Sequence, residues 1–310
     1  MRSVFILGFV VLLLSCSGAN DLAPGQTEEP SWTRQAVCDG VVWCNFTGYD
    51  SVSKAEQIVN VLEIDLSWPE LKLSFEYRAD KEFVSRVAVK CDALVAVNAS
   101  FGVPHTYIRI DGNSICEIDI QPGTTHWWKH EAAVGFDGER GFGFYNFDGK
   151  PAEAVTAYRS SLWKNLYSTT PILIDDYKFP EWDLRTDEAA GKNYGGKRLH
   201  ILNRHPRTVL ATKSDGTLLL VTVDGRWAGR ASGMSCEELR RFLERHFHPR
   251  FAVSMDGGGS TAMFVKGFGD PVSGIVNYPC EGTGETGEGY VFDHSHERQI
   301  PTFFVLTRTD

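Results

Sequence analysis

The stretch Phe251-Ala-Val-Ser-Met-Asp-Gly-Gly-Gly-Ser-Thr-Ala-Met-Phe-Val265 places a glycine-rich loop, residues 256–261, between two apolar runs. The flanking runs are short and apolar, which predicts two strands joined by the loop. Three consecutive glycines carry a high cost in conformational entropy, so their backbone is expected to do something that side chains would obstruct. The loop is therefore either a cradle whose peptide N–H groups converge on an anion or a glycine-rich strand connection.

The loop supplies a first set of candidate site residues. Asp256 stands at the end of the predicted strand, where a sheet would hold a catalytic carboxylate firmly. Glycine N–H groups and two hydroxyl groups are the candidate anion ligands, and they belong to Gly257, Gly258, Gly259, Ser260 and Thr261. No Gly-Lys-Ser or Gly-Lys-Thr follows, so the loop is not a Walker phosphate-binding loop.

A second candidate segment, Asn203 to Thr208, precedes another predicted strand and carries two arginines around a histidine. Arg204 and Arg207 present planar guanidinium groups that suit a phosphate or a carboxylate, and the alternative is that they are solvated loop charges. His205 titrates in the range that is useful for an acid or a base. The same histidine precedes a proline and is otherwise a turn residue.

Two further segments place polar residues at predicted strand ends. Asp224, a second candidate catalytic carboxylate, and Arg226 follow the run Thr217–Val223, and Asn98 follows the buried run Leu94–Val97. Each has a plain alternative, a hairpin end for the first pair and a satisfied turn for Asn98. Because loops held by a rigid sheet gather into sites, we expect the four segments to converge.

Hairpins dominate the rest of the chain. The runs Thr208–Thr212 and Thr217–Val223 flank an Asp-Gly turn, and a capping box at Ser235 and Glu238 opens a helix with an apolar stripe. Strands outnumber helices, which predicts an α+β fold with a mixed, largely antiparallel sheet flanked by a few helices. The polar stretch Tyr177–Lys197 is predicted to be a long loop or insertion.

The composition is that of an ordinary globular protein, with 310 residues and a formal charge of −9. A surface that binds duplex nucleic acid needs basic clusters, and none is visible in the sequence. We therefore expect no nucleic-acid partner.

The first sixteen residues are unlike the rest. Arg2 precedes an apolar run, Val4–Leu14, that is too short to span a bilayer and fits a signal peptide. The run ends in Leu-Leu-Ser-Cys16, which resembles a bacterial lipobox and predicts a signal peptide of residues 1–15 and a lipid on Cys16. Residues 16–36 would be a flexible tether, and ordinary secretory cleavage nearby is the alternative. This interpretation places the protein in the bacterial cell envelope, periplasmic or surface-exposed, in contact with the membrane only through its lipid anchor.

Six further cysteines remain, and an exported protein can oxidise them. Cys38 and Cys44 flank a short glycine-containing segment and could close a small loop, whereas the others could equally be buried thiols. No Cys-x-x-Cys pair appears, so no structural zinc site is expected. Asp224 and Asp256 could hold Ca²⁺, although no ligand set is legible in the sequence.

Taken in order, these segments resemble those of the phosphodiester glycosidase family. The resemblance rests on a series of motifs, which are Asn98-Ala-Ser-Phe101, Asn203-Arg-His-Pro-Arg-Thr208, Val223-Asp-Gly-Arg226, Gly233-Met-Ser-Cys-Glu-Glu-Leu239, Met255-Asp-Gly-Gly-Gly-Ser-Thr261 and Glu297-Arg298. It covers residues 90–115 loosely and 200–310 well, within a domain predicted to span residues 37–310. The combination of motifs is specific, although no single one is.

The resemblance implies an enzyme that hydrolyses a sugar-1-phosphodiester, of the N-acetylglucosamine-1-phosphodiester kind, at the bond between sugar and phosphate. The substrate would be a small glycosyl phosphodiester or a glycan, and no cofactor is required. Arginines and N–H groups would hold the phosphate charge, while Asp256 would act as nucleophile, base or oxocarbenium stabiliser. The residues that the resemblance assigns to the site are Asn98, Arg204, His205, Arg207, Asp224, Arg226, Asp256, Gly257, Gly258, Ser260 and Thr261.

Two departures from the family pattern stand out. Asn98-Ala-Ser-Phe-Gly102 occurs where the family has Asn-Gly-Gly-Phe-Phe, and Asn277-Tyr-Pro-Cys280 occurs where it has Asn-x-Pro-Ser. They motivate an alternative, a surface lipoprotein that binds phosphoglycans without catalysis. A third interpretation, a metal-dependent phosphodiesterase, predicts a sugar phosphate as the product and sensitivity to chelators.

Overall fold

The computed structural model describes residues 31–117, 127–184, 194–282 and 289–309. Sixteen strands and four α-helices lie in these ranges, and the strands form three sheets of seven, five and four strands. Neighbouring strands pair antiparallel throughout the described ladders. The predicted α+β class with largely antiparallel pairing is therefore confirmed, while the predicted lipid site at Cys16 lies outside the described residues.

The helices and strands are numbered in chain order. The strands are β1 Ser31–Cys38, β2 Val41–Asp50, β3 Ala55–Ile64, β4 Leu71–Glu82, β5 Val95–Asn98, β6 Ile108–Ile110, β7 Asn113–Cys116, β8 Ala132–Asp137, β9 Gly141–Asn146, β10 Asn165–Thr169, β11 Ile172–Ile174, β12 Arg207–Thr212, β13 Leu218–Val223, β14 Phe251–Ser254, β15 Met263–Val265 and β16 Ile300–Arg308. The helices are α1 Val84–Lys90, α2 Pro151–Ser160, α3 Tyr194–Leu202 and α4 Cys236–Phe247, and short 3₁₀ turns cover Trp127–His130 and Gly258–Ser260.

The seven-stranded sheet, in the order β1-β2-β3-β13-β12-β14-β11, is buried on both faces along its inner strands. Alternate residues point to opposite faces of a strand, and here Leu220 packs in a core with the five- and four-stranded sheets. Its neighbour Val221 packs in a second core with α4. Burial on both faces explains why β13 is a continuous apolar run without polar alternation.

Helix α4 begins where its sequence signal places it. The Ser235 hydroxyl accepts a hydrogen bond from the N–H of Glu238 at 3.2 Å, and the Glu238 carboxylate accepts one from the N–H of Ser235 at 2.9 Å. This reciprocal capping box satisfies two N–H groups that the first turn would otherwise leave unpaired. The apolar stripe of the helix then packs Leu239, Phe242 and Leu243 against the seven-stranded sheet. The predicted capped helix is confirmed.

One edge of this sheet gathers the segments singled out in the sequence. Arg207 at the start of β12 pairs with Val223 at the end of β13, and Val209 pairs with Ser254 at the end of β14. From the four-stranded sheet, Ala99 follows β5 and accepts a hydrogen bond from the N–H of Asp256 at 2.9 Å. We call this region the loop edge; the structure brings all four segments to it.

Two sequence assignments differ from the structure. Strand β1 includes residues 31–36, which the sequence interpretation gave to the tether, because Ser31 to Ala36 pair with Thr47 to Val42. The predicted loop Tyr177–Lys197 is wrong at its end, since α3 begins at Tyr194. The glycines 195 and 196 have low helix propensity and hide this start.

The suggested bridge between Cys38 and Cys44 is not formed. In the ladder between β1 and β2, Cys44 lies opposite Arg34 and Cys38 lies opposite Val41, so the two thiols occupy different registers. All six cysteines within the described residues are free. The fold is held by its buried cores without a disulfide among these residues.

Candidate active site

The glycine-rich loop is fastened to the loop edge by its own backbone. The N–H of Met255 donates to the carbonyl of Thr208 at 2.8 Å, and the N–H of Gly258 donates to the carbonyl of Pro206 at 2.9 Å. Residues Gly258–Ser260 form a single 3₁₀ turn, after which β15 begins. The loop is therefore a tightly anchored turn whose side chains have fixed positions.

Asn98 is the residue that holds this loop in place. Its side-chain amide donates to the carbonyl of Asp256 at 2.6 Å. Its oxygen accepts from the hydroxyl of Thr208 at 2.8 Å and from the N–H of Ala262 at 3.1 Å. The side chain is completely buried, so Asn98 positions the loop and does not face a substrate.

The three glycines are required by what lies against them. A Cβ at Gly257 would come within 2.6 Å of the carbonyl oxygen of Pro206. A Cβ at Gly259 would come within 2.0 Å of the carboxylate of Glu281, and Gly258 has a φ of +62°, which favours glycine. The glycines thus allow close packing on several sides of one turn.

The loop offers fewer free N–H groups than the sequence suggests. Gly257 donates to the carboxylate of Asp256, and the N–H groups of Gly258, Ser260 and Thr261 bond to carbonyls of Pro206, Gly257 and Gly258. Within the described residues, Gly259 is left as the loop amide without a protein acceptor. The predicted anion cradle is reduced to that one donor.

Asp256 is surrounded by groups that act on its charge. Burial raises the pKa of Asp256 above its ordinary value, whereas a hydrogen bond from Ser260 and the charges of Lys129 and Arg298 favour the ionised form. Arg298 also donates to the Ser260 hydroxyl, at 3.4 Å, so that hydroxyl links the guanidinium to the carboxylate. Asp256 itself remains partly exposed. This arrangement leaves a partly exposed carboxylate on a rigid turn.

Three cations border this turn, namely Lys129, Arg226 and Arg298. Lys129 is partly buried, with its ammonium 4.1 Å from the centre of the Phe101 ring, and burial lowers its pKa while the charge of Asp256 raises it. Arg226 lies against Gly258, since a Cβ there would be 3.0 Å from its guanidinium nitrogen. Arg298 forms an ion pair with Glu281, with 2.6 Å between nitrogen and oxygen. The turn therefore sits among three cations and two carboxylates.

His205 lies beside this group but in a neutral state. Burial, followed by the nearby charges of Arg207 and Arg226, lowers the pKa of His205 to about 4. Its backbone is fixed by a two-way hydrogen-bonded bridge with Met234, at 3.3 and 3.2 Å. At neutral pH the ring is therefore uncharged and a weak base, and it carries no imidazolium proton to give.

The guanidinium groups of Arg204 and Arg207, predicted to bind an anion, instead bond to groups of the protein itself. Arg204 contacts the carboxylate of Glu238 at 2.6 Å, at the start of α4. Arg207 is buried and donates to the carbonyls of Met234, His200 and Asn203, each at 2.7 Å. The guanidinium of Arg207 thus satisfies carbonyls at the end of α3, where a cation is favourable.

Asp224 also has a supporting position. Its carboxylate is buried and accepts from the side-chain amide of Asn277 at 3.0 Å and from the N–H of Tyr278 at 3.1 Å. Burial raises the pKa of Asp224 to about 7, although these hydrogen bonds oppose the shift. Asn277 in turn donates to the carbonyl of Thr261 at 3.1 Å, so Asp224 supports the end of the glycine-rich turn.

The suggested Ca²⁺ site finds no donor set around these acids. Among the described residues, no group of three or more His, Cys, Asp and Glu side chains is placed to hold a metal ion. The oxygens of Asp224 already accept N–H groups of the protein.

No helix in the described ranges is long and apolar enough to cross a membrane.

Sequence reasoning missed three residues around Asp256, namely Lys129, Glu281 and Arg298. Arg298 belongs to the Glu297-Arg298 motif, which could have identified it. Lys129 lies in a short 3₁₀ turn without any spacing signal, and only the packing of that turn brings it to the loop edge. Glu281 directly follows the Asn277–Cys280 segment, which departs from the family pattern.

Comparisons with known proteins identify the family and the fold relatives of this chain. A family model described as phosphodiester glycosidase matches residues 92–307. The uncharacterized SPbeta prophage-derived protein YomE of Bacillus subtilis is 40% identical over 65 residues, which is 21% of this chain and 10% of that protein. The chain thus matches about a tenth of the length of that curated relative.

Solved structures share the fold at low sequence identity. The catalytic domain of zebrafish N-acetylglucosamine-1-phosphodiester alpha-N-acetylglucosaminidase, auto-inhibited by its pro-peptide, has a TM-score of 0.56 and 16% identity, covering 92% of this chain and 86% of its own. A hypothetical protein from Synechocystis has a TM-score of 0.56 and 14% identity, covering 91% of this chain and 64% of its own. A putative exported protein from Burkholderia pseudomallei has a TM-score of 0.54 and 16% identity, covering 82% of this chain and 74% of its own.

The family model extends over well more than half of the sequence and includes the whole glycine-rich turn, Lys129, Arg226 and Arg298. This chain belongs to the phosphodiester glycosidase family.

Proposed function

We propose that this chain hydrolyses a sugar-1-phosphodiester at the bond between the sugar and the phosphate. The observation that carries the proposal is the position of Asp256, a partly exposed carboxylate on a rigid turn with Ser260, Lys129 and Arg298 around it. A glycosyl centre that loses its phosphate needs a carboxylate as nucleophile, base or oxocarbenium stabiliser. Asp256 meets that need, and its three neighbours favour the ionised form.

The charges around the turn suit a phosphodiester. Lys129, Arg226 and Arg298 contribute three positive charges, and Asp256 and Glu281 contribute two negative charges, which leaves one positive charge in excess. A phosphodiester carries a single negative charge. The proposed phosphate clamp therefore consists of Lys129, Arg226 and Arg298. Arg204 and Arg207 are not part of it.

Proton transfer to the departing phosphate is a minor requirement in this scheme. A phosphate monoester is a good leaving group, so the reaction needs no strong general acid. This agrees with His205, whose pKa is lowered to about 4 and which is neutral at neutral pH. We assign His205 no proton-donating role and keep it as a neighbour of the phosphate clamp.

The departure from the family pattern after Asn98 does not obstruct the site. Ala99 and Ser100 are both buried, and the hydroxyl of Ser100 donates to the carbonyl of Ser168. Their side chains are therefore accommodated in the interior and do not fill the space at the turn. This supports an enzyme over the alternative of a phosphoglycan-binding module without catalysis.

The reaction is tested with an N-acetylglucosamine-1-phosphodiester in water enriched in ¹⁸O. Cleavage between the sugar and the oxygen leaves the released phosphate without label, and mass spectrometry of the phosphate product reads it, because the anomeric oxygen of the free sugar exchanges with water. Label in the phosphate, with loss of turnover in a chelator, would instead establish a metal-dependent phosphodiesterase. Saturable binding of the diester without product would establish the non-catalytic module.

For the cellular setting, we propose a substrate in envelope or environmental glycans, with the protein held by a lipid on Cys16. The support is the Leu-Leu-Ser-Cys16 sequence alone. Metabolic labelling with a fatty acid, compared between the wild type and Cys16→Ala, tests it. Label that persists in Cys16→Ala would contradict the anchor.

A further inference from the structure

A row of aromatic rings leads away from the loop edge, beginning at Arg226. The guanidinium carbon of Arg226 lies 5.1 Å from the centre of the Tyr290 ring, and Tyr290 lies 6.2 Å from Phe292. Phe292 stacks on Trp227 at 4.8 Å with 5° between the ring planes, and Trp227 meets Tyr278 edge-on at 5.2 Å. These rings form a continuous path from the candidate active site to a groove.

The groove lies between strands β2 and β3 on one side and the segment 276–278 on the other, and its volume is about 430 Å³. Ligand sites of drug size have volumes of about 300–1,000 Å³, so the groove can take a small ligand or part of a larger one. Aromatic rings and polar groups line it together, mainly Trp43, Asn45, Trp227, Arg230, Tyr278 and His294. No acidic residue is among those that line it in the described part of the chain.

The lining combines ring faces with hydrogen-bonding groups. Trp43, Trp227 and Tyr278 supply large flat apolar surfaces, and the indole N–H of Trp43 is already bonded to Asn60. His294 Nδ1 lies 2.6 Å from the carbonyl oxygen of Asn277 and donates to it, which leaves Nε2 as the second polar atom of the ring. Arg230 is exposed, with its guanidinium 5.7 Å from the Trp227 ring, and adds N–H donors.

We propose that the row and the groove form a saccharide subsite, which holds the part of a glycan that lies beyond the phosphodiester. A sugar ring presents C–H groups on its faces and hydroxyl groups on its rim, and this lining offers a partner for both. Arg226 joins the two sites, because it borders Gly258 on one side and the Tyr290 ring on the other. The absence of an acid among the lining residues fits neutral or anionic sugars.

The catalytic consequence of this subsite rests on the proposed function. A diester that carries an oligosaccharide would contact both Asp256 and the groove, whereas a diester with a single sugar would contact only the turn. The longer substrate should therefore have a lower KM with a similar kcat, since the added binding is equal in the ground state and the transition state.

The subsite is tested first by binding, without any turnover. Chitotetraose, mannotetraose and tetragalacturonate are titrated into the full-length protein while tryptophan fluorescence is followed. We expect saturable binding of at least one, weakened about 10-fold or more in Trp227→Ala and in Arg230→Ala, because each variant removes a ring or charge contact from the groove. Trp68→Ala, which removes an exposed tryptophan elsewhere, is the matched control and should bind as the wild type does.

The outcomes separate this inference from the proposed function. Asp256→Asn should bind the oligosaccharide as tightly as the wild type, because the carboxylate lies outside the groove. No saturable binding of the three probes, or equal binding by the wild type and both groove variants, would overturn the subsite even if diesters are hydrolysed. Binding with no hydrolysis of any diester would refute the function and leave the subsite in place. Thermal unfolding of each variant confirms that it is folded; Arg230 is exposed and its removal spares the core.

Discussion

The turn after β14 and the segment before β12 both reach the loop edge, and both carry charged residues that the sequence assigned to one site. Their use of those charges differs. Arg204 forms an ion pair with Glu238, and Arg207 donates hydrogen bonds to backbone carbonyls. Asp256 is partly exposed, with cations on more than one side. The difference shows that a charged residue at a strand end need not face the solvent, since Arg207 is buried among backbone carbonyls whereas Asp256 stays partly exposed.

Replacing Asp256 should have the largest effect on activity. Asp256→Asn keeps the size of the side chain but removes the charge, and we expect kcat to fall at least about 10³-fold. The melting temperature should change little, because the loop is held by its backbone and by Asn98. Sugar release is the measurement, and Asp92→Asn is the control at an exposed position with positive φ, where Asn is tolerated. Full activity of Asp256→Asn would end the proposed mechanism.

Replacing Arg207 should act on stability and spare the chemistry. Arg207→Met leaves the carbonyls of Met234, His200 and Asn203 without their donor in a buried place. We expect a loss of about 3 kcal/mol in the free energy of unfolding and a melting temperature lower by roughly 6–12 °C. Differential scanning calorimetry measures it. A stable Arg207→Met with a strongly raised KM would return Arg207 to the phosphate clamp.

Arg226 is expected to bind the phosphate. Arg226→Gln removes one charge beside Gly258, so kcat/KM should fall about 10–100-fold, the range for a charge-assisted hydrogen bond. The dependence of KM on ionic strength should also weaken. Arg250→Gln is the matched control, because its partner Asp176 lies on the surface elsewhere. Equal values for the two variants would remove Arg226 from the clamp.

Asp224 should make the stability of the protein depend on pH. Its pKa is raised to about 7 in the folded state, so between pH 4 and 7 the folded protein holds a proton that the unfolded chain has released. Stability from this group is therefore present at low pH and lost as the pH rises towards 7. The Asp224→Asn variant cannot ionise at this position. Its melting temperature should therefore fall less than that of the wild type between pH 4 and 7, with a difference on the order of 5 °C. Parallel pH profiles for the two proteins would show that Asp224 does not titrate there.

The smallest effect is expected at Arg204. Its ion pair with Glu238 is exposed on one side, and such pairs contribute about 0–1 kcal/mol. Arg204→Met should therefore change neither kcat/KM nor the melting temperature by much, in contrast to Arg207→Met. A large loss of activity would show that Arg204 reaches the substrate after all.

The sequence predicts the fold well where local signals agree with packing. The β12–β13 hairpin and the capped helix α4 are examples, since turn chemistry, apolar runs and a capping box all point to the same structure. The site is predicted only in part. Residue types identify Asp256 and Arg226, but which donors remain free depends on burial and on partners more than 100 residues away, such as Asn98 for Thr208.

Asn98 also bears on when the site comes into existence. Its hydrogen bonds reach across 110 residues to Thr208, 158 to Asp256 and 164 to Ala262, and its strand β5 pairs with β16, Ile300–Arg308. Contacts of such long range form late and slowly in folding. During synthesis, Asn98 cannot hold the glycine-rich turn in place until these later segments of the chain have been made. The chain should therefore stay catalytically silent until the last strand is in place, and truncation before Ile300 should cost the activity together with the fold.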